Sequence, residues 1–198
     1  MAFHQYHEKY GCFPPAYIAD EAGRPLHSWR VLILPFMEYE PLYERYRFDE
    51  PWNGPNNSKL ADEIPEPYQC PSFTKNMIRF DKMTARESRM TNYLVITGPK
   101  TAFDHASCVS VRKIEDGTSN TILVVETRER RVNWMQPEDV SIDDLAPRFQ
   151  LSPDDETHVG GFHVLLFDGS VRFLNVTISP ELLHALCTAN GGEEIHDF

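Results

Sequence analysis

The 198 residues are 41% hydrophobic, 12% aromatic and 25% charged, a globular balance that excludes a wholly disordered or fibrous chain and makes one domain the default. Nineteen Lys+Arg against 30 Asp+Glu give a formal net charge of -11, which repels nucleic acid, and the compact basic cluster Arg128, Arg130, Arg131 is interrupted by Glu126 and Glu129. The longest strongly apolar run, Val31 to Met37, carries Pro35 and is far short of the ~20 residues needed to cross a bilayer.

Phe3, Tyr6, His7 and Tyr10 recur at helical spacing, and Gly11 offers the left-handed residue that commonly ends a helix, so a first helix is predicted up to Tyr10. No Ser, Thr, Asp or Asn precedes the stripe, as if the helix lacked its N-terminal part. The stretch from Cys12 to Pro25 reads as proline- and glycine-bounded turns. Ser28 predicts the cap of a short helix through Leu34, ended by Pro35. Pro41 with Leu42, Tyr43 and Tyr46 predicts another toward Phe48. Asp49 to Asn57 is turn chemistry, and Ser58 to Ile64 suits a helical turn or two.

From Phe73 onward the pattern shifts to strands, with Met90 to Thr97 and Thr121 to Thr127 rich in β-branched and aromatic residues. Asn133 to Thr157 is acidic, holds Pro137, Pro147 and Pro153 and has no period, so a long surface excursion is predicted there. Between Gly161 and Leu174, two apolar runs flank Asp168-Gly169, which predicts a hairpin with a type I′ turn. Ser179-Pro180-Glu181 opens a closing helix whose apolar stripe is Leu182, Leu183, Leu186 and Cys187, with Asn190-Gly191-Gly192 as its stop. Helices first, strands next and one closing helix predict an α+β fold with an antiparallel sheet.

The common hydrolase, nucleotide-binding and zinc-protease motifs are all missing, which weakens the enzyme class. His4 and His7 share a helix face but have no third ligand nearby, so they read as packing or surface. His158 and His163 precede Asp168 and could gather two imidazoles and a carboxylate at one hairpin end, although Asp168 is already needed by the turn. Asp139, Asp143, Asp144, Asp154, Asp155 and Glu156 are oxygen donors that could suit calcium, but the usual calcium-loop pattern is absent and a plain solvated acidic loop competes. Trp29, Trp52 and Trp134 with Tyr39, Tyr43 and Tyr46 either pack a core or line a groove for a sugar or peptide. Cys12, Cys70, Cys108 and Cys187 contain no C-x-x-C, and their spacing leaves two disulfides and four buried thiols equally open.

His27-Ser28-Trp29-Arg30-Val31-Leu32-Ile33-Leu34-Pro35, Glu50-Pro51-Trp52-Asn53, Cys70-Pro71-Ser72, Asp116-Gly117-Thr118-Ser119-Asn120-Thr121 and His158 to Asp168-Gly169-Ser170 follow one another in this chain. In that order, over nearly the whole length, the sequence resembles bacterial prepilin-like proteins with an H-x9-DG domain, a domain of unknown function also labelled solute-binding-like. The resemblance implies a pilin-like fold with an N-terminal helix packed on an antiparallel sheet. It also implies a leader and a hydrophobic helix like those of the major pseudopilin of type II secretion, with Ala2 to His7 as that helix's last turns. The chain then reads as the globular part of an extracytoplasmic subunit, in the periplasm or at the cell surface. The helix would tether it to the inner membrane and assemble it with like subunits, while the isolated domain would be a monomer. The expected role is non-enzymatic, with no catalytic residue and no cofactor, and with His158 and Asp168 structural. The alternative is an extracytoplasmic binding module for a small solute, sugar or calcium, for which Asp143, Asp144, Asp154, Asp155, His158 and Asp168 are the metal candidates.

Overall fold

The computed structural model describes residues 1–72, 89–104, 106–127, 130–145, 158–195 and 198. Its first element, α1 (Ala2–Tyr10), ends at Gly11 with φ 78°, where the Gly11 N–H donates to the His7 carbonyl, and Met1 supplies no side-chain cap. Phe3 is its buried residue and meets Trp29, with ring centroids 5.0 Å apart. His4 and His7 pack on Phe13, and His7 Nε2 accepts from the Val111 N–H, so this pair is packing.

The turn-rich stretch that follows does pair, as a small antiparallel hairpin of β1 (Tyr17–Ala19) and β2 (Pro25–Ser28). Period-two alternation is hard to recognise over so few residues, which hid these strands in the sequence. The Ser28 hydroxyl then accepts from the Arg30 N–H and opens α2 (Trp29–Leu32). Pro35 does not stop the helical path. It sits in the first turn of a 3-10 segment, Leu34–Met37, where a missing N–H costs nothing. Pro41 likewise starts α3 (Glu40–Arg45).

The predicted strand from Met90 to Thr97 is broken into β3 (Met90–Thr91), β4 (Tyr93–Leu94) and β5 (Ile96–Thr97), each in a different sheet. β3 pairs with β7 (Val132–Asn133), and β5 runs parallel to β8 (Val140–Ser141). β4 is the edge of the main sheet, which continues through β6 (Ile122–Glu126) and β9 (Gly161–Leu166) to β10 (Val171–Asn175), antiparallel throughout.

The β9–β10 hairpin is where the sequence placed it, but its turn is not type I′. That type needs φ > 0 at both central residues, whereas Gly169 has φ 87° and Asp168 is not among the positive-φ residues. Instead the Gly169 N–H donates to the Leu166 carbonyl and the Leu166 N–H to the Ser170 carbonyl. The loop is therefore three residues long, with the glycine as a left-handed bulge.

The sheet is covered on both faces, which makes every residue of β6 buried. On one side lies an aromatic layer that includes Phe3, Phe13, Trp29, Tyr68, Phe103 and Trp134. On the other, Val125, Phe162, Val164 and Leu166 meet Leu183 and Leu186 of α4 (Pro180–Cys187), whose Ser179 cap accepts from the Leu182 N–H. α4 stops at Thr188, before the predicted Asn190-Gly191-Gly192. The fold is α+β, with N- and C-terminal helices and an antiparallel sheet. No helix among the described residues is long and apolar enough to cross a membrane.

The predicted surface excursion needs correction over its first half. Trp134, Met135 and Val140 are fully buried, and Asp139 lies with them in the core. The remainder, 146–157, lies outside the described residues. Cysteine usage takes a third form: Cys12 and Cys108 form a disulfide, whereas Cys70 and Cys187 are buried thiols.

Candidate functional site

At the end of β6 a single carboxylate stands in an otherwise apolar strand. A bulge between Ile122 and Val124 resets the alternation so that Val124, and with it Glu126 two residues on, faces the aromatic layer. On the adjacent β9, Leu165 packs on that same layer, so His163 also lies on this face. His158 precedes β9, and Cys70 follows the 3-10 turn Glu66–Tyr68. Three separate stretches of chain therefore meet at one point.

His158 Nε2 lies 3.0 Å from Glu126 Oε1 and 3.4 Å from Cys70 Sγ. His163 holds the other carboxylate oxygen: its ring Nδ1 is 3.1 Å and its backbone N–H donor 3.3 Å from Oε2. The Asn92 amide donates to Oε1 at 3.3 Å. The two imidazoles are edge to face, with centroids 4.8 Å apart, and His163 also meets the Phe173 ring. Glu126 and Cys70 are buried, while the His163 side chain is 41% exposed. Burial by itself would raise the Glu126 carboxyl, but the Cys70 hydrogen bond, the His158 charge and the His163 hydrogen bonds together hold it below the ordinary value. Burial, then the Glu126 charge, pushes the neighbouring Tyr93 phenol up.

Beside this cluster is a cavity of about 570 Å³. Its walls are mainly apolar, including Phe3, Trp29, Ile33 and Phe36, with Glu126 and His163 as polar contributors. Such a space has the size and lining of a small-molecule pocket.

The sequence pairing of His158 with His163 is realised, but its carboxylate is not Asp168. Asp168 accepts from the Ser170 N–H and hydroxyl in the hairpin turn, the shaping role expected of it. Asp139 is not a solvated acid. Its Oδ1 takes the Arg30 guanidinium at 2.7 Å, the Trp29 indole N–H and the Val95 N–H. Burial pushes this carboxyl up, against the pull of Arg30 and these donors. Asp143 and Asp144 sit in the 3-10 turn Ile142–Asp144, and no cluster of potential metal ligands among the described residues includes them. Asp154, Asp155 and Glu156 lie outside the described residues, as do Arg128 and Glu129 of the basic cluster. Trp29, Trp134 and Tyr46 are core residues, with Tyr39, Tyr43 and Trp52 packed against them, and Trp29 also walls the cavity.

Cys70 and Glu126 escaped sequence reasoning as chemical groups. The available signal for Glu126 was a charged residue closing the strand ILVVE, and for Cys70 its place in the Cys70-Pro71-Ser72 motif.

Residues 1–144 match the family described as "Protein of unknown function (DUF1559)", labelled SBP_bac_10, and the chain belongs to that family. No curated protein and no solved structure matches it.

Proposed function

We propose that this DUF1559-family chain is the globular part of an extracytoplasmic, non-enzymatic pilin-like subunit of the prepilin-like, H-x9-DG group. The observation that carries the reading is the Cys12–Cys108 disulfide, which fastens the end of α1 to the body of the domain. Disulfides persist in oxidising compartments, the periplasm and cell surface among them. The N-terminal helix joined to an antiparallel sheet also supports it, as does the order of the motifs. In this reading an apolar helix continuous with α1 tethers the subunit to the inner membrane and joins it to like subunits.

The test is the gene sequence upstream of Met1, together with the intact mass of the native mature protein. The expected result is a cleaved leader followed by an apolar helix. A native N-terminus at Met1 with no such segment upstream would sink the reading. Size-exclusion chromatography of the 198-residue chain should give a monomer.

The cavity beside Glu126 and His163 favours a second reading, an extracytoplasmic binding module for a small solute. A thermal-shift panel of sugars, short peptides, aromatic amines and calcium tests it, since a ligand that binds the native state raises Tm. A flat response across that panel would count against it.

A further inference from the structure

We propose that Cys70, Glu126 and His158 form a binding site for a zinc-class divalent cation, with His163 and Asn92 positioning the Glu126 carboxylate. One ligand atom from each of the three residues lies within 4.8 Å of the other two. Around a tetrahedral zinc ion with ordinary bond lengths, a thiolate sulfur and an imidazole nitrogen stand about 3.6 Å apart, and an imidazole nitrogen and a carboxylate oxygen about 3.3 Å. The corresponding distances here are 3.4 and 3.0 Å. These two pairs need only spread by a few tenths of an ångström to admit the ion, and the third pair, Cys70 and Glu126, lies within the 4.8 Å limit.

The donor set selects the cation. Thiolate, imidazole and carboxylate together suit a borderline-soft ion such as zinc, whereas calcium and magnesium take oxygen ligands. Cys70 binds as the thiolate and releases its proton to solvent. The surroundings also fit. Metal-binding carboxylates are usually held by outer hydrogen bonds, and Glu126 Oε2 takes two from His163. Glu126 is 3% exposed, and its partners are a thiol, two imidazoles and an amide. Among the described residues Glu126 pairs with His158 and His163 and with no lysine or arginine, and a divalent cation would take over compensation of this buried charge once His158 binds as the neutral imidazole. Among the described residues there are three donors, and a tetrahedral zinc ion takes a fourth ligand, which is water in an open site.

The site does not depend on how the chain is exported or assembled, so it can be tested on the 198-residue chain alone. Metal-free protein is titrated with Co2+ and followed by absorption, then with Zn2+ as competitor. The expected result is one equivalent of Co2+ with a thiolate-to-cobalt charge-transfer band, displaced by one equivalent of Zn2+ and untouched by Ca2+ or Mg2+. Cys70→Ser should abolish the band, and His158→Ala should remove measurable binding. His163→Ala should keep the band while weakening Co2+ by roughly 10- to 100-fold, as outer-shell losses do. Cys187→Ser should change nothing. Absence of the charge-transfer band in the wild-type chain at saturating Co2+ overturns the proposal, whatever the variants do. So does a band that survives Cys70→Ser and vanishes in Cys187→Ser.

Discussion

Replacing Arg30 by Met is the sharpest probe of the buried core. The Arg30 and Asp139 side chains are 0% and 2% exposed and meet at 2.7 Å. Arg30 also donates to the Tyr93 and Gln136 carbonyls and to the Ser28 hydroxyl. Asp139 Oδ2 is buried and has no hydrogen-bond partner among the described residues, so the carboxylate leans heavily on the guanidinium. Removing one member of a buried pair costs ~3–5 kcal/mol, because the other is left as an uncompensated charge. At about 2–4 °C per kcal/mol for a chain of this size, Tm should fall by about 6–20 °C. The double variant Arg30→Met/Asp139→Leu removes both charges, and a coupling of about 2 kcal/mol or more should reappear as recovered stability. The loss should also depend on pH. Without the guanidinium, the desolvation that already pushes Asp139 up dominates, so its folded pKa lies well above the unfolded value. Stability in the variant is then fullest below the unfolded pKa and declines as pH rises through the folded one, so Arg30→Met should be more damaging at pH 7.5 than at pH 4.5. Urea unfolding of wild type, Arg30→Met, Asp139→Leu and the double variant at both pH values measures all of this. A single-variant loss below about 1 kcal/mol, or strict additivity in the double variant, would refute the reasoning.

Three further outcomes are expected. Reducing the Cys12–Cys108 disulfide, which spans a separation of 96 residues, should destabilise the domain by ~2–5 kcal/mol, visible as a lower Tm in dithiothreitol that Cys187→Ser does not reproduce. Gly161→Ala would place a Cβ 2.4 Å from the Leu174 carbonyl oxygen, forcing the β9–β10 ladder apart at a cost of ~1–3 kcal/mol. Equal urea midpoints for wild type and this variant would contradict the register. In metal-free protein, the low folded-state pKa of Glu126 contributes stability above the ordinary carboxyl pKa of about 4.3, and this is lost as pH falls through the folded value. Glu126→Gln should therefore be less stable than wild type at pH 6, with the gap closing in acid.

Features governed by neighbours a few residues away were legible in the sequence. Gly11, Ser28 and Ser179 end or start their helices through contacts within four residues, and the β9–β10 hairpin rests on a turn signal with apolar runs on either side. The order of helices and strands likewise carried the α+β class. Even the hairpin shows where local reading stops, since Asp-Gly permits both a two-residue turn and a glycine bulge, and strand register decides between them. Met90–Thr97 looks like one strand from composition but is divided among three sheets, because which partner each dipeptide meets is a long-range matter. Asp139 looks solvated among acids, and only the arrival of Arg30 from 109 residues away makes it a core residue. The Cys70, Glu126 and His158 cluster is similar, joining positions 32 and 88 residues apart. Local sequence determined turns, caps and fold class because their energies are settled within a few residues. Burial and convergence were decided by the tertiary structure, because both depend on which distant surfaces exclude water together.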